Sequence, residues 1–314
     1  MDNLIFIINV VIPVFSLIVV GYILKKLAVI DEPFVKKTSS FVYQVSLPTL
    51  IFMKLFQVDL NKTFDYKMVL LIVGGTVATF LVAYFIEKLF KLKPDRKGVF
   101  IQGAFRSNYA IVGLAIISRM FSEESLSKAS FLLLFALPLY NLLAIFILSA
   151  AFNKPGKNNA LKIIKQVLFN PLVLAVFISM PFSLFKISLP SAIVTTGNYL
   201  AAIALPVALI GIGGSLELRK AVQSSGAAIT AALIKIILSP LIVLVVAVLW
   251  NIHGEDLGIL FVIFACPTAV ASFVLAAGMN GNIKLAGNII IISTLGSVFT
   301  IIAGLYSLKY FGFF

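Results

Sequence analysis

The sequence is poor in the residues that most enzyme and metal sites use. Its 314 residues include one cysteine, one histidine and only 12 aspartates and glutamates. The lone Cys266 excludes an intramolecular disulfide and a cysteine-rich metal site, and the lone His253 excludes a site with two histidines. We interpret Cys266 as a small buried hydrophobic residue and His253 as a solvated loop residue. Because no P-loop pattern is present either, the sequence predicts no enzyme activity, no cofactor and no direct use of ATP.

Apolar residues dominate instead. The chain is 61% hydrophobic and 12% charged, whereas soluble domains are typically about 45–50% apolar and about 25% charged. The net charge of +13 could indicate nucleic-acid binding, but the basic residues lie in short loops between apolar runs. We therefore predict a polytopic all-α membrane protein that contacts the lipid bilayer and no nucleic acid.

The apolar runs predict ten membrane-spanning helices, because a helix needs about 20 residues to cross a bilayer. The ten predicted spans are 4–24, 38–57, 67–87, 98–118, 127–151, 163–184, 190–214, 224–250, 257–278 and 284–308. Lysine and arginine concentrate in the loops that follow spans one, three, five, seven and nine. By the positive-inside rule both termini face outside. The compact loops favour the cell membrane of a prokaryote.

The two halves of the sequence share a pattern. Leu47-Pro48 in span two and Leu205-Pro206 in span seven each follow a helix start with several polar residues, Gln44 among them in the first half. Five spans per half is an odd number, so the second copy must be inverted. We predict two inverted five-helix repeats, residues 1–152 and 153–314, an architecture that many transporters share.

Only two cations, Arg106 and Lys235, lie deep in predicted spans, and no carboxylate clearly does. An ionisable residue inside the membrane is a candidate functional residue. Two buried cations without an obvious acidic partner favour a pathway for anions. The alternative for each cation is a side chain that extends along the helix to the membrane surface. For Arg106 both readings stay open, whereas for Lys235 we favour extension to the surface.

Spans four and nine carry polar residues or proline near the middle of the membrane. Span four contains Arg106-Ser107-Asn108 near the predicted bilayer centre, and any break there must come from Gly103 and the Ser-Asn pair. In span nine, Pro267 is expected to kink or break the helix, and Thr268 and Ser272 follow it. A freed helix start would present unpaired N–H groups to an anion. A purely structural kink is the alternative.

One further polar residue, Asn141 in span five, could face the same cavity or bridge two helices.

Together these features resemble the auxin efflux carrier family of membrane transporters, including its bacterial members. The motifs that carry the resemblance are Ile12-Pro13 through Gly21-Tyr22, Leu47-Pro48, Phe105-Arg106-Ser107-Asn108 with Gly113, and Ser239-Pro240. The resemblance implies that spans one, two, six and seven form a scaffold. The other six spans then form a transport domain in which spans four and nine cross at broken points. It also assigns Asn108 to the crossing, whereas Thr268 and Ser272 replace the asparagine that plant members have after the second proline.

The sequence thus leads us to expect a secondary transporter or facilitator of small organic anions, with auxin-like or malonate-like carboxylates as the implied class. Pro48 and Pro206 would shape the scaffold that faces the site, and a homodimer through the scaffold is implied by the resemblance. Coupling to Na⁺ or H⁺ stays open. Two alternatives remain: a sodium-coupled symporter of the bile-acid carrier type, and a membrane module that senses a ligand without transporting it.

Overall fold

The computed structural model describes residues 2–56, 64–151, 169–216 and 226–314. Within these ranges the chain is helical, and the sole β-type pairing is one isolated bridge. We number fourteen α-helices along the described chain: α1 Asp2–Lys26, α2 Glu32–Phe41, α3 Leu47–Leu55, α4 Tyr66–Phe90, α5 Pro94–Phe105, α6 Leu114–Met120, α7 Glu123–Ala151, α8 Pro171–Leu184, α9 Ser191–Ser215, α10 Gly226–Leu233, α11 Ser239–Leu249, α12 Gly254–Ala265, α13 Ala271–Gly278 and α14 Ile283–Tyr310.

Six helical segments in the described ranges are long and apolar enough to cross a membrane. They are Leu4–Lys26, Tyr66–Phe90, Glu123–Ala150, Ser191–Ser215, Gly226–Leu249 and Ile283–Tyr310. Two shorter apolar segments, Tyr109–Met120 and Pro171–Leu184, accompany them. The protein is therefore an all-helical polytopic membrane protein, as predicted. The count of ten spans in two inverted repeats stays a prediction, and the predicted start of span six lies outside the described residues.

Side-chain caps set several helix starts. Asp31 accepts a hydrogen bond from the backbone N–H of Phe34 at 2.7 Å, and Pro33 occupies the first turn of α2. Both features favour a helix start. The second helix therefore begins at Glu32, six residues before the predicted start of span two. Asp65 caps α4 and Asn282 caps α14 in the same way.

Three π-helical turns interrupt the helices, at Val42–Ser46, Tyr109–Gly113 and Ile234–Leu238. The first and the third directly precede Leu47-Pro48 and Ser239-Pro240. A proline ring clashes with the carbonyl four residues earlier, and one extra residue in the preceding turn moves that carbonyl away. The backbone accordingly bonds five residues back: Leu47 N–H donates to the Val42 carbonyl, and Ser239 N–H to the Ile234 carbonyl.

The closest helix packing joins α1 to α9, through glycines in both helices. A methyl group added at Gly21 would lie 2.1 Å from the Ile210 carbonyl oxygen. A methyl group added at Gly213 would lie 1.8 Å from the Ile18 carbonyl oxygen. Small residues allow this approach, as is usual for membrane helices. The α3 helix packs on α8 and α9, whereas α5 packs mainly on α4 and α7.

Polar residues join the start of α7 to the start of α12. Lys128 pairs with Asp256 at 3.0 Å, and the Ser122 hydroxyl donates to Glu255 at 2.6 Å. His253 is exposed beside this cluster. The interpretation of His253 as a solvated loop residue is confirmed.

Candidate functional site: two crossed helix breaks

The first break separates α5 from the π-helical turn that leads into α6. The α5 helix ends at Phe105, and Arg106 adopts an extended backbone with φ −76° and ψ 110°. Asn108 has φ −89° and ψ 35°, and helical structure resumes at Tyr109. The predicted break in span four is therefore present, without a proline. It falls at Ser107 and Asn108, whereas Gly103 lies inside α5 and packs against Ile289.

The second break lies between α12 and α13. The α12 helix ends at Ala265, and Cys266 has φ −55° and ψ 148°. A residue that precedes proline is disfavoured in the helical conformation, so Pro267 accounts for the end of the helix at this point. Helix resumes at Ala271. The proline in span nine therefore breaks the helix, as predicted.

The two breaks pair with each other in an antiparallel bridge centred on Ser107 and Thr268. The Asn108 N–H donates to the Pro267 carbonyl at 2.9 Å, and the Ala269 N–H donates to the Arg106 carbonyl at 3.0 Å. Unpaired backbone groups inside a membrane protein are costly, and this pairing satisfies four of them.

Side chains reinforce the crossing in a reciprocal way. The Ser107 hydroxyl donates to the Ile263 carbonyl in the last turn of α12, and the Thr268 hydroxyl donates to the Gly103 carbonyl in the last turn of α5, each at 2.6 Å. The Thr268 N–H donates to Ser293 Oγ at 3.1 Å. The amides of Thr268 and Ala269 are used within the crossing, so the expectation that the chain after Pro267 offers free N–H groups to an anion does not hold for these two groups.

Arg106 does not extend to the membrane surface. Its side chain is 8% exposed, and Nη2 donates to Asn141 Oδ1 at 2.8 Å. Nη1 is buried without a hydrogen-bond partner among the described residues. Two phenols, those of Tyr43 and Tyr140, lie within electrostatic range of the guanidinium. The structure thus brings Arg106 and Asn141 together and leaves one charged donor unpaired.

Lys235 contradicts our expectation that it extends to the surface. Its side chain is wholly buried, and its ammonium group donates to the Phe264 carbonyl in the last turn of α12. Neighbouring helices cover the hydrophobic segment Gly226–Leu249 at this position, which accounts for the zero exposure of the side chain. Lys235 and Arg106 therefore contact different partners at the crossing.

A second pair of buried polar residues lies between α5 and α13. Gln102 Nε2 donates to the Ser272 carbonyl at 3.0 Å. Gln102 Oε1 and Ser272 Oγ are buried and have no partner in the described part of the chain. Asn108 is also buried, at 7% exposed, and its side-chain amide makes no hydrogen bond with any described residue.

The remaining predicted residues lie at different places. Gly113 faces the crossing, since a methyl group there would lie 2.7 Å from Tyr109 Cβ and 3.2 Å from Cys266 Sγ. Pro48 lies in the first turn of α3, and Pro206 lies inside α9. Gln44 donates to the Ser40 hydroxyl at 2.6 Å on the exposed side of its helix, so it does not belong to the crossing.

Sequence reasoning missed Ser293, which accepts the Thr268 N–H and itself donates to the Ile290 carbonyl at 3.1 Å. The only signal was a short polar run in span ten, Ser293-Thr294, with no motif around it. Its role follows from tertiary packing, because α14 runs beside the second break.

Comparisons with known proteins agree with a transporter. Residues 6–303 match the family described as "Membrane transport protein". An uncharacterized transporter of Methanocaldococcus jannaschii is 27% identical over 303 residues, which cover 93% of this chain and 96% of the relative. A second uncharacterized transporter, from Methanothermobacter thermautotrophicus, is 25% identical over 92% of this chain and 94% of the relative.

A protein of Rhizobium meliloti that is named as a proposed malonate transporter is 25% identical, with 95% of each chain covered. The family match and the names of these relatives point to a transporter and not to an enzyme. The resemblance to the auxin efflux carriers is confirmed over nearly the whole sequence. The chain belongs to the family of membrane transport proteins that includes the auxin efflux carriers.

Proposed function

We propose that the protein is a secondary transporter or facilitator of small organic anions, with carboxylates as the substrate class. The observation that carries the proposal is the buried Nη1 of Arg106 at the first helix break, which has no hydrogen-bond partner among the described residues. A buried charged donor without a partner is costly, and a carboxylate oxygen is the acceptor that suits it best.

The setting of Arg106 supports an anion over a cation or a neutral solute. The guanidinium has one hydrogen-bond partner among the described residues, the neutral side chain of Asn141, so no carboxylate in this part of the chain cancels its positive charge. Coulomb interactions are strong where water is excluded. The unpaired amide of Asn108 lies two residues away, and it could donate to the second oxygen of the same carboxylate. Ser107, Pro267 and Thr268 then hold the crossing in shape.

We further propose that transport proceeds by alternating access between two groups of helices. In this scheme the chain has ten spans in two inverted repeats, residues 1–152 and 153–314. Spans one, two, six and seven form the scaffold, and spans three to five and eight to ten carry the crossing. The antiparallel pairing of two broken helices supports this plan, because inverted-repeat transporters place their sites where discontinuous helices meet. Extensive packing of α1 on α9 supports the scaffold.

The membrane potential constrains the direction. One charge is worth about 2.3 kcal/mol per 100 mV, so an inside-negative membrane drives anions outward without a coupled ion. Accumulation of a dicarboxylate such as malonate would require coupling to Na⁺ or H⁺. The name of the Rhizobium meliloti relative makes malonate a first substrate to test.

The test is flux into sealed proteoliposomes that contain the purified protein, with radiolabelled malonate and indole-3-acetate, with and without Na⁺. We expect saturable, electrogenic flux of at least one carboxylate, which Arg106→Met abolishes. Tyr199→Phe changes an exposed side chain of α9 and serves as the control. Flux that requires Na⁺ would identify a sodium-coupled symporter. Saturable binding without flux would indicate a sensing module, and flux that survives Arg106→Met would contradict the assigned site.

A further inference from the structure

A polar pair from two other segments includes a phenol that interacts electrostatically with Arg106. Tyr43 belongs to the π-helical turn Val42–Ser46, and Asn170 immediately precedes α8. Asn170 Nδ2 donates to the Tyr43 hydroxyl oxygen at 2.9 Å. Tyr43 and Arg106 lie within electrostatic range of each other. Neither Tyr43 nor Asn170 is among the site residues predicted from the sequence.

The direction of the hydrogen bond between Tyr43 and Asn170 is fixed. Asn170 Oδ1 accepts the backbone N–H groups of Leu172 at 2.9 Å and Val173 at 3.4 Å, so it caps α8. The amide nitrogen must then face Tyr43 as a donor. A phenol oxygen that accepts one hydrogen bond can still donate its own proton to another acceptor. The Tyr43 proton is therefore available to an oxygen placed between Tyr43 and Arg106.

The local backbone also favours a binding role for Tyr43. The π-helical turn is imposed by Pro48, and such turns occur frequently at functional sites. Tyr43 is 41% exposed, whereas Asn170 is 6% exposed. Part of the Tyr43 side chain is therefore accessible, while the amide that orients the phenol is held inside the protein.

We infer that Tyr43, oriented by Asn170, forms a second half of the anion site. Its O–H donates to an oxygen of the carboxylate that Arg106 Nη1 binds, so that the anion bridges the α2–α3 segment and the first helix break. The ligand class is a carboxylate recognised by one cation and neutral donors. This inference rests on the proposed anion site at Arg106 and adds a contact from outside the crossing.

The test is equilibrium binding of radiolabelled malonate and indole-3-acetate to the purified full-length protein. Tyr43→Phe removes only the O–H group. Because a hydrogen bond to a charged group contributes strongly, we expect at least about a tenfold loss of affinity for the carboxylate that the wild type binds. Thermal unfolding without ligand should stay cooperative and shift only modestly downward, because the variant leaves the Asn170 amide without its acceptor. Tyr199→Phe, on the exposed surface of α9, should bind as the wild type does.

A second variant tests whether the Tyr43 hydroxyl donates to the anion or only links Tyr43 to Asn170. Asn170→Ser keeps a good helix cap but removes the amide that contacts Tyr43, and it leaves the phenol its proton. A donor role predicts a smaller loss of affinity for Asn170→Ser than for Tyr43→Phe. Equal losses in the two variants, or wild-type affinity in Tyr43→Phe, would overturn the inference. If Arg106→Met abolishes binding while Tyr43→Phe does not, only this inference fails. If no carboxylate binds to the wild type, the proposed function fails with it.

Discussion

The two cations buried in the apolar interior, Arg106 and Lys235, make different contacts. Arg106 directs one nitrogen to the side chain of Asn141 and leaves another without a partner among the described residues. Lys235 is wholly buried and donates to the Phe264 carbonyl. The two basic side chains in the protein interior are thus held in two different ways. One cation is anchored and still able to bind a ligand, and the other is used by the protein itself.

The contact that Lys235 makes has a clear structural role. The last carbonyls of a helix lack partners within the helix and carry its negative dipole end. At the end of α12 the Ser107 hydroxyl binds the Ile263 carbonyl and Lys235 binds the Phe264 carbonyl. Both residues therefore cap a helix that ends in the buried interior of the protein. Depth in a predicted span therefore does not by itself assign a cation to the substrate.

Removal of each charge at nearly constant side-chain length should distinguish the roles of Arg106 and Lys235 most strongly. We expect Arg106→Met to lower carboxylate affinity by more than about tenfold, because a charge-assisted hydrogen bond is lost. Lys235→Met should keep its affinity close to that of the wild type. Equilibrium binding of labelled malonate and indole-3-acetate to both purified variants measures the difference. An equal loss in the two variants would show that both cations serve the ligand.

Lys235, which should matter little for carboxylate affinity, should matter strongly for the stability of the fold. Lys235→Ala deletes a wholly buried side chain and also leaves the Phe264 carbonyl without its donor. Deletion of a large buried side chain typically costs about 2–5 kcal/mol in the free energy of unfolding. Lys235→Met keeps most of the volume and should cost less. Unfolding in detergent, followed by circular dichroism, measures both variants. A wild-type unfolding curve for Lys235→Ala would refute the capping role.

Parts of this arrangement could be predicted from the sequence because the signals are local. Pro267 interrupts an apolar span, and Arg106-Ser107-Asn108 places polar groups where a continuous helix would bury them. The structure contains a break at each of these places. Local chain chemistry controls where a helix ends, so these features need no knowledge of the partner helices.

Other parts depend on contacts between distant residues. The segment around Lys235 is apolar on every side, so its sequence does not tell which face neighbouring helices cover. Tyr43 and Asn170 are 127 positions apart, and their hydrogen bond follows from the packing of α3 on α8. Ser293 meets Thr268 in the same way, across 25 positions. A single sequence carries no local signal for such pairs.

The second cap of α12 should have a smaller effect than Lys235. Ser107→Ala removes the donor to the Ile263 carbonyl and leaves a buried carbonyl unpaired, at a cost of about 1–3 kcal/mol in the free energy of unfolding. Thr268→Val does the same to the Gly103 carbonyl and should cost a similar amount. Detergent unfolding of the two variants beside Ser297→Ala, a buried hydroxyl of α14, measures the effect. Larger losses than in Lys235→Ala would reverse the order of the two caps.

Removal of Asn141, the hydrogen-bond partner of Arg106, should give the smallest change. It tests whether Asn141 orients the guanidinium or competes with the anion for it. If Asn141 orients it, Asn141→Leu frees Nη2, the arginine must be ordered when the anion binds, and carboxylate affinity falls. One net hydrogen bond corresponds to a loss of about threefold to tenfold. If Asn141 competes, the freed nitrogen can bind the anion and affinity rises. The sign of the change in binding of labelled malonate and indole-3-acetate therefore decides. A rise in affinity would mean that the hydrogen bond to Asn141 competes with the anion for Arg106. Part of the Arg106 side chain would then serve the protein structure, as Lys235 does.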